Sequence, residues 1–588
     1  MHFSEIIVKN LFSFKDAKFR FDKYNVIVGT NNSGKTNLLR IIKKLTESGH
    51  LAGFTISRSI KFKPNEKSRL TLNIVLTDEE LRFLLQSIFQ IHFLLSSVPD
   101  SLKSIQIVIN WNDLISDVPV PTSIFIIFKN GLTIMTNYDR LLVFYSNILK
   151  KEIDRDVFFT KLFEENFDMF SKIFTEHNIS IVPNFPLRTE FFQDFIDENS
   201  LELHFKKDDH YIIPSLDASI LYEYQNPSKF SAEIFDFVGK QRTANSQIHF
   251  IEVLSHILKN NFVSISEIQP SYSQLIADLF NLKVTNEDAY KILQEVFSDL
   301  FDNTTVKVEQ GRNNETKHII ISESNRDFEI SESASGYYAA IHILHSILNQ
   351  PNRVLLLDEP EVHFHPVKIR QLGQKFMELS EKSNNQIILL THSPKFVDFR
   401  LLDPGYPYTL TNLTRENGAS TPTLTPSRFD VNLSPHLFNP EMFFGKCSLL
   451  VEGADDEFVM RAISDKFDGI LDKHGITIIN CWGVPNIFPN ILLHKAFNIP
   501  WLALVDKEYD NDLQNVVRLK EDLETELQKI GCTVTKNQLK PAIGYCFIKD
   551  CLETKEGLKK LKTTDIWKAF IEVLNKSTSE IPNFEKFY

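Results

Sequence analysis

The stretch that decides the fold of this chain is Gly29-Thr30-Asn31-Asn32-Ser33-Gly34-Lys35-Thr36. It follows the apolar run Val26-Ile27-Val28 and precedes apolar residues at helical spacing, so the local prediction is strand, glycine loop and helix. In that context the backbone N–H groups of the loop bind phosphate, Lys35 reaches the β and γ oxygens, and Thr36 offers its hydroxyl to Mg²⁺. We therefore predict a site for ATP and Mg²⁺, and its residues are Gly29, Asn32, Gly34, Lys35 and Thr36.

Length and composition predict a protein of several globular domains. The chain has 588 residues, of which 43% are hydrophobic and 24% charged, and a length prior gives about three or four domains. No apolar run approaches the roughly eighteen residues of a membrane span, and the first residues carry no secretory signal pattern. Five scattered cysteines without a C-x-x-C pair argue against a structural zinc or a disulfide framework. We therefore expect a cytoplasmic protein with no membrane partner.

The formal net charge of −12 constrains any nucleic-acid function. Nonspecific nucleic-acid binders usually carry a basic footprint, so DNA binding by this chain requires locally basic surface or bridging metal ions. One candidate surface is a lysine cluster formed by Lys555, Lys559, Lys560 and Lys562. The alternative is that this charge run is only a solvated face.

A second nucleotide motif lies far downstream of the glycine loop. The apolar run 354–357 ends in Asp358 and Glu359, which is the pattern of a strand buried on both faces. Asp358 is predicted to hold Mg²⁺ through water and Glu359 to polarise the attacking water. The next apolar run, 386–390, leads to His392, which can reach a γ-phosphate. The alternative for His392 is an ordinary loop histidine.

A serine–glycine turn at Ser335 and Gly336 precedes the second motif and leads into an amphipathic run. Such a turn at a helix N-terminus is an anion site. The order of serine–glycine signature, paired acids and histidine is similar to that of ABC-type ATPases of the RecF/SMC kind. The resemblance implies that Ser335 and Gly336 of one subunit close over the ATP held by Lys35 of another, in a homodimer or higher homo-oligomer. Residues 361–366 fit the D-loop of these ATPases, and a His-x-His metal site is the alternative.

The ATPase is predicted to be split by inserted sequence. Its first part covers 1–242 and includes a mixed α/β insertion. The predicted elements of that insertion are helices over 79–93 and 157–174 and strands over 105–109, 124–128 and 234–238. Gln241 or Arg242 is a candidate for the glutamine-loop contact with the nucleotide.

A helical insertion is predicted over 243–305, followed by the second part of the ATPase over 306–425. Apolar residues recur at helical spacing within the insertion, which indicates two antiparallel helices. These helices form either a dimerisation arm or plain core helices of the ATPase, and the pattern does not separate the two.

Two acidic clusters follow two further apolar runs near the C-terminus. Residues 448–451 lead to Glu452 and Asp456, and residues 501–505 lead to Asp506 and Glu508. Because the carboxyl ends of parallel strands meet at one edge of a sheet, these acids are expected to converge there. Converging acids repel one another unless divalent cations neutralise them. The alternative is a set of solvated loop carboxylates.

The sequence L-L-V-E-G-x-x-D followed by A-L-V-D-x-E resembles a Toprim domain, the metal-dependent module of topoisomerases, primases and some nucleases. The resemblance implies that Glu452 is the general acid/base or a metal ligand, and that Asp456 closes the first motif. Asp506 and Glu508 match the D-x-D metal pair, with glutamate replacing the second aspartate. Gly483 matches the small residue on the intervening strand.

An ATPase of this type joined to a Toprim domain resembles the OLD (overcoming-lysogenization-defect) family of nucleases, which includes the Gabija nuclease and retron-associated effectors. The fold class implied is α/β: an ABC-type, RecF/SMC-like ATPase domain with a helical insertion, followed by a C-terminal Toprim α/β domain over 440–588. Glu553 matches the family's late acidic motif and would bind a second metal ion, so that two ions activate water and stabilise the leaving 3′ oxygen. The ions implied are Mg²⁺, with Mn²⁺ or Ca²⁺ as alternatives, and one lysine near Lys555 would support the scissile phosphate.

Two hypotheses follow for the function of the chain. The first is an ATP-regulated, divalent-metal-dependent DNA endonuclease in prokaryotic defence against phage, acting alone or with an operon-encoded partner. That partner would be a helicase or a retron reverse transcriptase with its DNA–RNA product. The second hypothesis is an ATP-dependent sensor or scaffold with a degenerate Toprim domain, in which a partner protein does the damage. Glu508 keeps the second hypothesis open.

Overall fold

The computed structural model describes residues 1–47, 60–63, 66–81, 104–111, 123–128, 132–137, 140–145, 213–214, 256–265, 271–310, 317–324, 326–333, 335–425, 438–507, 514–533 and 547–577. Several predicted features lie outside these residues: the helix over 157–174, the strand over 234–238, Gln241, Arg242, Glu508 and most of the helix over 79–93.

The nucleotide motifs lie on a six-stranded sheet with the order β10-β14-β15-β3-β16-β17. Its strands are β3 (Tyr24–Gly29), β10 (Phe262–Ile265), β14 (Val354–Asp358), β15 (Gln386–Leu390), β16 (Tyr408–Glu416) and β17 (Ala419–Leu424). All neighbours are parallel except β16 and β17. The continuous apolar runs of β3, β14 and β15 are buried on both faces, as a covered parallel sheet requires. Their carboxyl ends therefore share one edge.

Helices cover this sheet and separate its strands along the chain. They are α1 (Lys35–Glu47), α2 (Tyr272–Thr285), α3 (Glu287–Leu300), α4 (Ser335–Leu348) and α5 (Pro366–Ser383). Helix α1 starts directly at the glycine loop and buries Leu38, Ile41, Ile42 and Leu45 on one side. Spacing of three and four residues brings these side chains to one helical face, so the loop is tied to the core by the helix that follows it.

Helices α2 and α3 belong to the core of the ATPase. Asn286 links them: its backbone N–H caps the end of α2, and its side chain accepts from the Ala289 N–H at the start of α3. Their buried faces join the same apolar cluster as α4 and β14, and α3 packs on both α2 and α4. This packing favours core helices over a dimerisation arm, and dimerisation itself stays a prediction.

A second sheet of eight strands carries the N-terminus and part of the insertion. Its order is β2-β1-β4-β5-β6-β7-β8-β9, and every neighbouring pair is antiparallel. The strands are β1 (His2–Leu11), β2 (Phe14–Arg20), β4 (Ser68–Val75), β5 (Ser104–Trp111), β6 (Ser123–Phe128), β7 (Leu132–Asn137), β8 (Arg140–Tyr145) and β9 (Ile213–Pro214). The predicted strands over 105–109 and 124–128 are confirmed as β5 and β6. A small antiparallel sheet follows α3 and contains β11 (Thr305–Gln310), β12 (Lys317–Glu323) and β13 (Arg326–Glu329).

The C-terminal domain is built on a four-stranded parallel sheet with the order β19-β18-β20-β21. Its strands are β18 (Cys447–Val451), β19 (Ile476–Asn480), β20 (Trp501–Val505) and β21 (Val516–Arg518). Its helices are α6 (Ala454–Lys466), α7 (Ile470–Lys473), α8 (Ile487–Ala496), α9 (Leu523–Lys529), α10 (Lys555–Leu561) and α11 (Asp565–Ser577). Strands β18 and β20 are direct parallel neighbours, as the sequence predicts, so their carboxyl ends lie side by side.

The two domains share apolar contacts. Phe443, just before β18, meets Phe497 edge-to-face with ring centroids 4.9 Å apart, and both join the cluster that contains the core of the ATPase. The Asn412 side chain of β16 donates to the Phe497 carbonyl at 3.3 Å. The 3-10 turn Pro394–Phe396, which follows β15, packs on the 3-10 turn Pro440–Phe443.

Candidate functional site

The glycine loop after β3 is held by residues from distant parts of the chain. Gly34 has φ 116°, and a Cβ there would lie 2.5 Å from the Ser420 hydroxyl, so only glycine fits. The Ser420 hydroxyl donates to Ser13 at 2.7 Å, and the Arg415 guanidinium donates to the Asn32 carbonyl at 3.2 Å. Ser13, Ser420 and Arg415 therefore brace the loop, and local motif reading missed all three because they come from the β1–β2 turn and the β16–β17 hairpin.

Lys35 lies buried beneath the loop, with its ammonium 2.5 Å from the Gly29 carbonyl oxygen and 3.2 Å from that of Thr30. Burial lowers the pKa of Lys35 to about 8, although the carboxylates of Glu359, Glu361 and Asp358 act in the opposite direction. Thr36 is exposed at the first turn of α1. A cation below a loop of backbone amides suits a polyphosphate, so these residues fit ATP, and Thr36 and Asp358 are the oxygen donors that Mg²⁺ prefers.

Asp358, Glu359 and His392 meet at the carboxyl edge of the same sheet. The His392 Nε2 atom lies 3.2 Å from the Glu359 carboxylate, and the Glu359 N–H donates to the Leu390 carbonyl at 2.9 Å. Glu359 has φ 47°, the left-handed backbone in which non-glycine residues are uncommon and often functional. Burial, followed by the charge of Lys35, lowers the pKa of His392, so this histidine is neutral near pH 7 and can donate one hydrogen bond.

Glu361 positions this histidine and was not singled out by motif reading. One oxygen of its carboxylate accepts from the Thr391 hydroxyl and from the His392 N–H, both at 2.7 Å. Its other oxygen is buried without a hydrogen-bond partner, and burial raises the pKa of Glu361. The signal was the third acid of the run Asp358-Glu359-Pro360-Glu361, but its partner lies on the next strand and is found only once β14 and β15 are placed side by side.

Ser335 and Gly336 open α4, as the sequence predicts. Ser335 is exposed, and a Cβ on Gly336 would lie 2.9 Å from the carbonyl oxygen of His363. The turn therefore packs against the segment that follows the paired acids, and it presents a hydroxyl to the surface. Among the described residues, no hydrogen bond joins this turn to the glycine loop of the same chain.

In the C-terminal domain, Glu452 and Asp506 come together at the ends of β18 and β20. The Asp506 N–H donates to the Glu452 carboxylate at 3.1 Å. Burial, followed by the charge of Glu452, raises the pKa of Asp506 to about 7. Asp456 caps the start of α6 by accepting from the Gly453 N–H at 3.0 Å, and burial with the charges of Asp506 and Glu452 raises its pKa to about 7. The structure thus places three predicted acids in one electrostatic cluster.

Two further acids act on this cluster. The charges of Glu524 and Asp522 also raise the pKa of Asp506, and Asp522 caps α9 by accepting from the Thr525 N–H at 2.9 Å. One oxygen of Asp506 is buried without a hydrogen-bond partner, which is costly for a carboxylate unless a cation binds it. The sequence contains no motif signal for Asp522 and Glu524, because they follow the short strand β21 and are brought in by its pairing with β20.

Divalent metal donors are only partly assembled. Within the residues that the structure describes, no three His, Cys, Asp or Glu side chains converge closely enough to hold a metal ion, and Glu508 lies outside them. Glu553 is exposed after the π-helical turn Ile548–Leu552, and nothing in the described chain joins it to Glu452 or Asp506 by a hydrogen bond. The unpaired oxygen of Asp506 and the crowded negative charge fit a cation, and Asp506 and Glu452, which share a hydrogen bond, are the acids placed to contact it first.

The predicted lysine cluster surrounds α10. Lys560 pairs with Glu556 at 2.9 Å, and Lys562 lies over the Trp567 ring at 5.8 Å from its centroid. Lys555 and Lys559 are exposed. Gly483 lies beside the acids: its N–H donates to the Glu452 carbonyl at 2.8 Å, and its φ of 115° favours glycine.

Comparison with protein families identifies both domains. The model described as AAA ATPase domain matches residues 1–397, and the chain belongs to this family. The model described as overcoming lysogenization defect protein-like, TOPRIM domain matches residues 443–507. The predicted α/β fold class, an ATPase domain followed by a C-terminal Toprim domain, is confirmed. Among the described helices, none has the length and apolar character to cross a membrane.

Two curated relatives are similar to parts of the chain. The OLD nuclease of Thermus scotoductus (strain ATCC 700910 / SA-01) is 25% identical over 185 residues, 30% of this chain and 35% of the relative. The Old nuclease of Escherichia phage P2 is 24% identical over 347 residues, 56% of this chain and 55% of the relative. The chain therefore spans about a third and about half of these relatives.

Solved SMC heads also resemble the chain. The SMC head domain from Thermotoga maritima superposes with a TM-score of 0.32 at 12% identity, covering 73% of this chain and 100% of that one. The SmcHead bound to the C-winged helix domain of ScpA gives the same TM-score and identity over 72% of this chain and 97% of the other. A TM-score of 0.32 is too low to support a functional comparison.

Proposed function

We propose that this chain is an ATP-regulated, divalent-metal-dependent DNA endonuclease that hydrolyses phosphodiester bonds at the Toprim carboxylates. The observation that carries the proposal is the cluster of Glu452, Asp456 and Asp506, in which burial, followed by repulsion among the acids, raises the pKa values of both aspartates to about 7. Acids with pKa values shifted in this way are concentrated at functional sites. The names of the two curated relatives, both nucleases, support the same reading.

The ATPase residues have distinct tasks in this proposal. Lys35 and the loop amides bind the phosphates, while Thr36 and Asp358 hold Mg²⁺. Glu359 orients the attacking water, and its contact with His392 at 3.2 Å keeps that carboxylate in place. The exposed turn at Ser335 is available to the nucleotide of a second copy, so the active form is a homodimer or higher homo-oligomer.

At the Toprim site, a bound Mg²⁺ or Mn²⁺ would polarise the scissile phosphate and lower the pKa of the attacking water. Glu452, Asp456 and Asp506 would hold it, with Glu508 as a further ligand. Glu452 is the candidate for proton transfer because it directly follows β18 and is partly exposed, so that a substrate can reach it. Glu553 is the candidate ligand of a second metal ion, and the DNA would complete the coordination of that ion.

Contacts between the domains support regulation by ATP. His392 follows β15, and the next residues form the turn Pro394–Phe396, which packs on the turn Pro440–Phe443 that enters the Toprim domain. A shift of His392 toward a γ-phosphate would therefore be transmitted to β18, whose end carries Glu452. Both turns are part of a single apolar cluster, and packed elements move as units.

The biological setting is proposed from the family resemblance. The chain would act in the cytoplasm of a prokaryotic cell in defence against phage, alone or with an operon-encoded helicase or a retron reverse transcriptase. A charge of −12 requires metal ions and local basic residues such as Lys555 and Lys559 to offset repulsion by DNA.

The test is cleavage of supercoiled and linear DNA by the purified protein with Mg²⁺ or Mn²⁺, with and without ATP, beside Glu452→Gln. We expect metal-dependent cutting that Glu452→Gln lowers by about 10²–10⁴-fold, with ATP binding unchanged. The matched control is Glu526→Gln, which changes a buried glutamate of α9 that we do not assign to the site. Equal cutting by the wild type and Glu452→Gln would reject the assignment.

One observation favours a second candidate function. The described acids do not by themselves form a group of three metal donors, which is also what a degenerate Toprim domain would show. In that case the chain is an ATP-dependent sensor or scaffold, and a partner protein does the damage. Metal titration by calorimetry separates the two: a nuclease binds Mn²⁺ through Asp506 and loses that binding in Asp506→Asn, whereas a scaffold shows no such site.

A further inference from the structure

Three large apolar side chains are exposed at the carboxyl edge of the Toprim sheet. Trp482 follows β19 and is 67% exposed, while Phe458 in α6 and Phe488 in α8 are each 40% exposed. The sheet is parallel, so the segments after β18 and β19 emerge at the edge that also carries Glu452. We call these three residues the aromatic rim.

Trp482 is fixed in place through backbone hydrogen bonds. Its N–H donates to the Asn480 side chain at 2.9 Å, and its carbonyl accepts from the Asn486 side chain at 3.1 Å. The next N–H, of Gly483, donates to the Glu452 carbonyl at 2.8 Å. The tryptophan is therefore tied directly to the backbone of the proposed catalytic glutamate, and its position relative to that residue is set by the fold.

The backbone of Trp482 is itself unusual. Its φ is 57°, in the left-handed region that bulky side chains rarely adopt because of the contact between Cβ and the carbonyl oxygen. Folded chains also tend to bury an indole, which supplies more apolar area than almost any other side chain. Trp482 departs from both tendencies beside the acids, and strained backbone of this kind is concentrated at functional sites.

We infer that the aromatic rim binds an unpaired nucleobase of the substrate, with the base stacked on the Trp482 ring. The inference rests on the proposed nuclease function and adds the form of DNA that the site accepts. The hydrogen bond from Gly483 to the Glu452 carbonyl places the rim next to the acids Glu452 and Asp506, and these carboxylates repel a phosphate but not a neutral base. Stacking on an aromatic ring is the contact that every base can make.

The need to stack on the ring also determines which form of DNA the site accepts. Bases inside a duplex already stack on one another and cannot reach an outside ring, so the rim requires a single strand, a frayed end or a flipped nucleotide. The nuclease should therefore cut where the duplex opens. A partner that unwinds or exposes single-stranded DNA would supply this substrate.

Tryptophan fluorescence gives a test that does not depend on cleavage. The chain contains four tryptophans, of which Trp111, Trp501 and Trp567 are buried, at 0%, 6% and 9% exposure. A nuclease-resistant phosphorothioate oligothymidylate of about ten nucleotides, added to the protein in Mg²⁺ at low salt, should quench the signal of Trp482. Trp482→Phe should abolish that quenching while keeping the affinity, measured by anisotropy of the labelled oligonucleotide, within about twofold.

Two variants remove the ring. Trp482→Ala should weaken oligonucleotide binding about tenfold. Trp482→Gly should weaken it equally but unfold no earlier than the wild type on heating, because glycine is at ease at positive φ; this variant separates loss of the ring from loss of the fold. Tyr406→Ala removes an aromatic that is 42% exposed on the ATPase and serves as the matched control, with unchanged affinity.

Several results would overturn the inference. One is a Trp482→Ala variant that binds the oligonucleotide as tightly as the wild type does. Another is an abasic oligonucleotide of equal length that binds the wild type as tightly as oligothymidylate does. Loss of a dimer in Trp482→Ala, seen by sedimentation with unchanged oligonucleotide affinity, would make the rim a protein interface instead. If the wild type binds no oligonucleotide and cuts no DNA, the nuclease proposal fails as well, whereas cutting and binding that are indifferent to Trp482 reject the rim alone.

Discussion

The nucleotide site and the Toprim site are both formed at the carboxyl edge of a parallel sheet, but they differ in charge. In the ATPase, Lys35 lies among Asp358, Glu359 and Glu361, so the carboxylates have a cation within the protein. In the Toprim domain the charges that act most on Asp456 and Asp506 are those of other acids. The first site contains a lysine that can bind a polyanion directly, whereas the second is dominated by acids and, in the proposed function, needs a bound cation before it can receive one.

This difference explains why one sheet architecture suits two opposite ligands. Carboxyl ends of parallel strands supply positions, not charge. A glycine loop with a lysine turns such an edge into an anion site, and clustered acids turn it into a cation site. Predictions that alter one residue at each site therefore test the comparison directly.

The largest expected effect after that of Glu452 concerns Glu359. Glu359→Gln should lower ATP hydrolysis by about 10²–10⁴-fold, because the amide cannot polarise the attacking water. ATP affinity should stay within about threefold, since Lys35 and the loop amides are untouched. Release of phosphate and binding of a fluorescent ATP analogue measure the two quantities. Glu378→Gln, which alters an exposed acid of α5, is the control, and a hydrolysis rate for Glu359→Gln equal to that of the control would contradict the assignment.

We expect Lys35 to affect the affinity for ATP more than the rate of ATP hydrolysis. Lys35→Ala removes a charge-assisted contact to phosphate, worth about 1.5–3 kcal/mol, so ATP affinity should fall by about tenfold or more. Lys43→Ala, a change later on α1, should leave affinity unchanged. Metal binding at the Toprim acids should also be unchanged by Lys35→Ala. If manganese affinity falls together with ATP affinity in the absence of nucleotide, the two sites are not separate.

Substitution of Glu361 should have a smaller effect on the rate of ATP hydrolysis, because Glu361 acts through the position of His392. Glu361→Ala loses two hydrogen bonds at 2.7 Å, and we expect hydrolysis to fall about tenfold with ATP affinity retained. Glu361→Gln keeps an acceptor oxygen and should restore much of the rate. A purely structural role would instead lower the melting temperature of both variants and leave the rate per folded molecule unchanged.

Sequence patterns predicted the parts of both sites that follow apolar runs. Glu359, His392, Glu452 and Asp506 each lie at the end of a buried strand, and a continuous apolar run is a strong signal for such a strand. Glu361, Ser420 and Asp522 were missed because their roles depend on which strands are neighbours. The order β14-β15-β3 and the pairing of β20 with β21 are tertiary facts that a local pattern does not contain.

Trp482 is a further residue whose role a local sequence pattern does not predict. Tryptophan side chains are mostly buried in folded proteins, and the exposure and the positive φ of Trp482 separate it from the three buried tryptophans. The loop conformation that exposes it depends on Asn480 and Asn486, whose side chains replace backbone partners in the turn. Asparagine is common in loops for this reason, so composition alone could not single out these two.

The smallest effect, and the sharpest test of the comparison, is on stability at Asp506. Its pKa is raised from 3.8 to about 7, so the folded state holds the proton more tightly than the unfolded state between these values. By linkage, the contribution of Asp506 to stability falls as pH rises from about 4 to 7 and stays low above that range.

In EDTA at pH 8, Asp506→Asn should therefore raise the free energy of unfolding by about 1 kcal/mol, after allowance for solvent screening at this half-buried group. At pH 4 most of the gain should vanish, because the Asp506 carboxyl of the folded wild type is then protonated and as neutral as the amide of the variant. Asp550→Asn is the matched control, and it should lower the free energy of unfolding at pH 8, since hydrogen bonds from Thr533 lower the pKa of Asp550.

Added Mg²⁺ should make Asp506→Asn less stable than the wild type, and should have this effect on Asp506→Asn alone, because the cation stabilises the ionised wild type. Urea unfolding at both pH values, with and without metal, measures these differences, and a stabilising effect of Asp506→Asn that persists in saturating Mg²⁺ would show that the acids do not bind the ion.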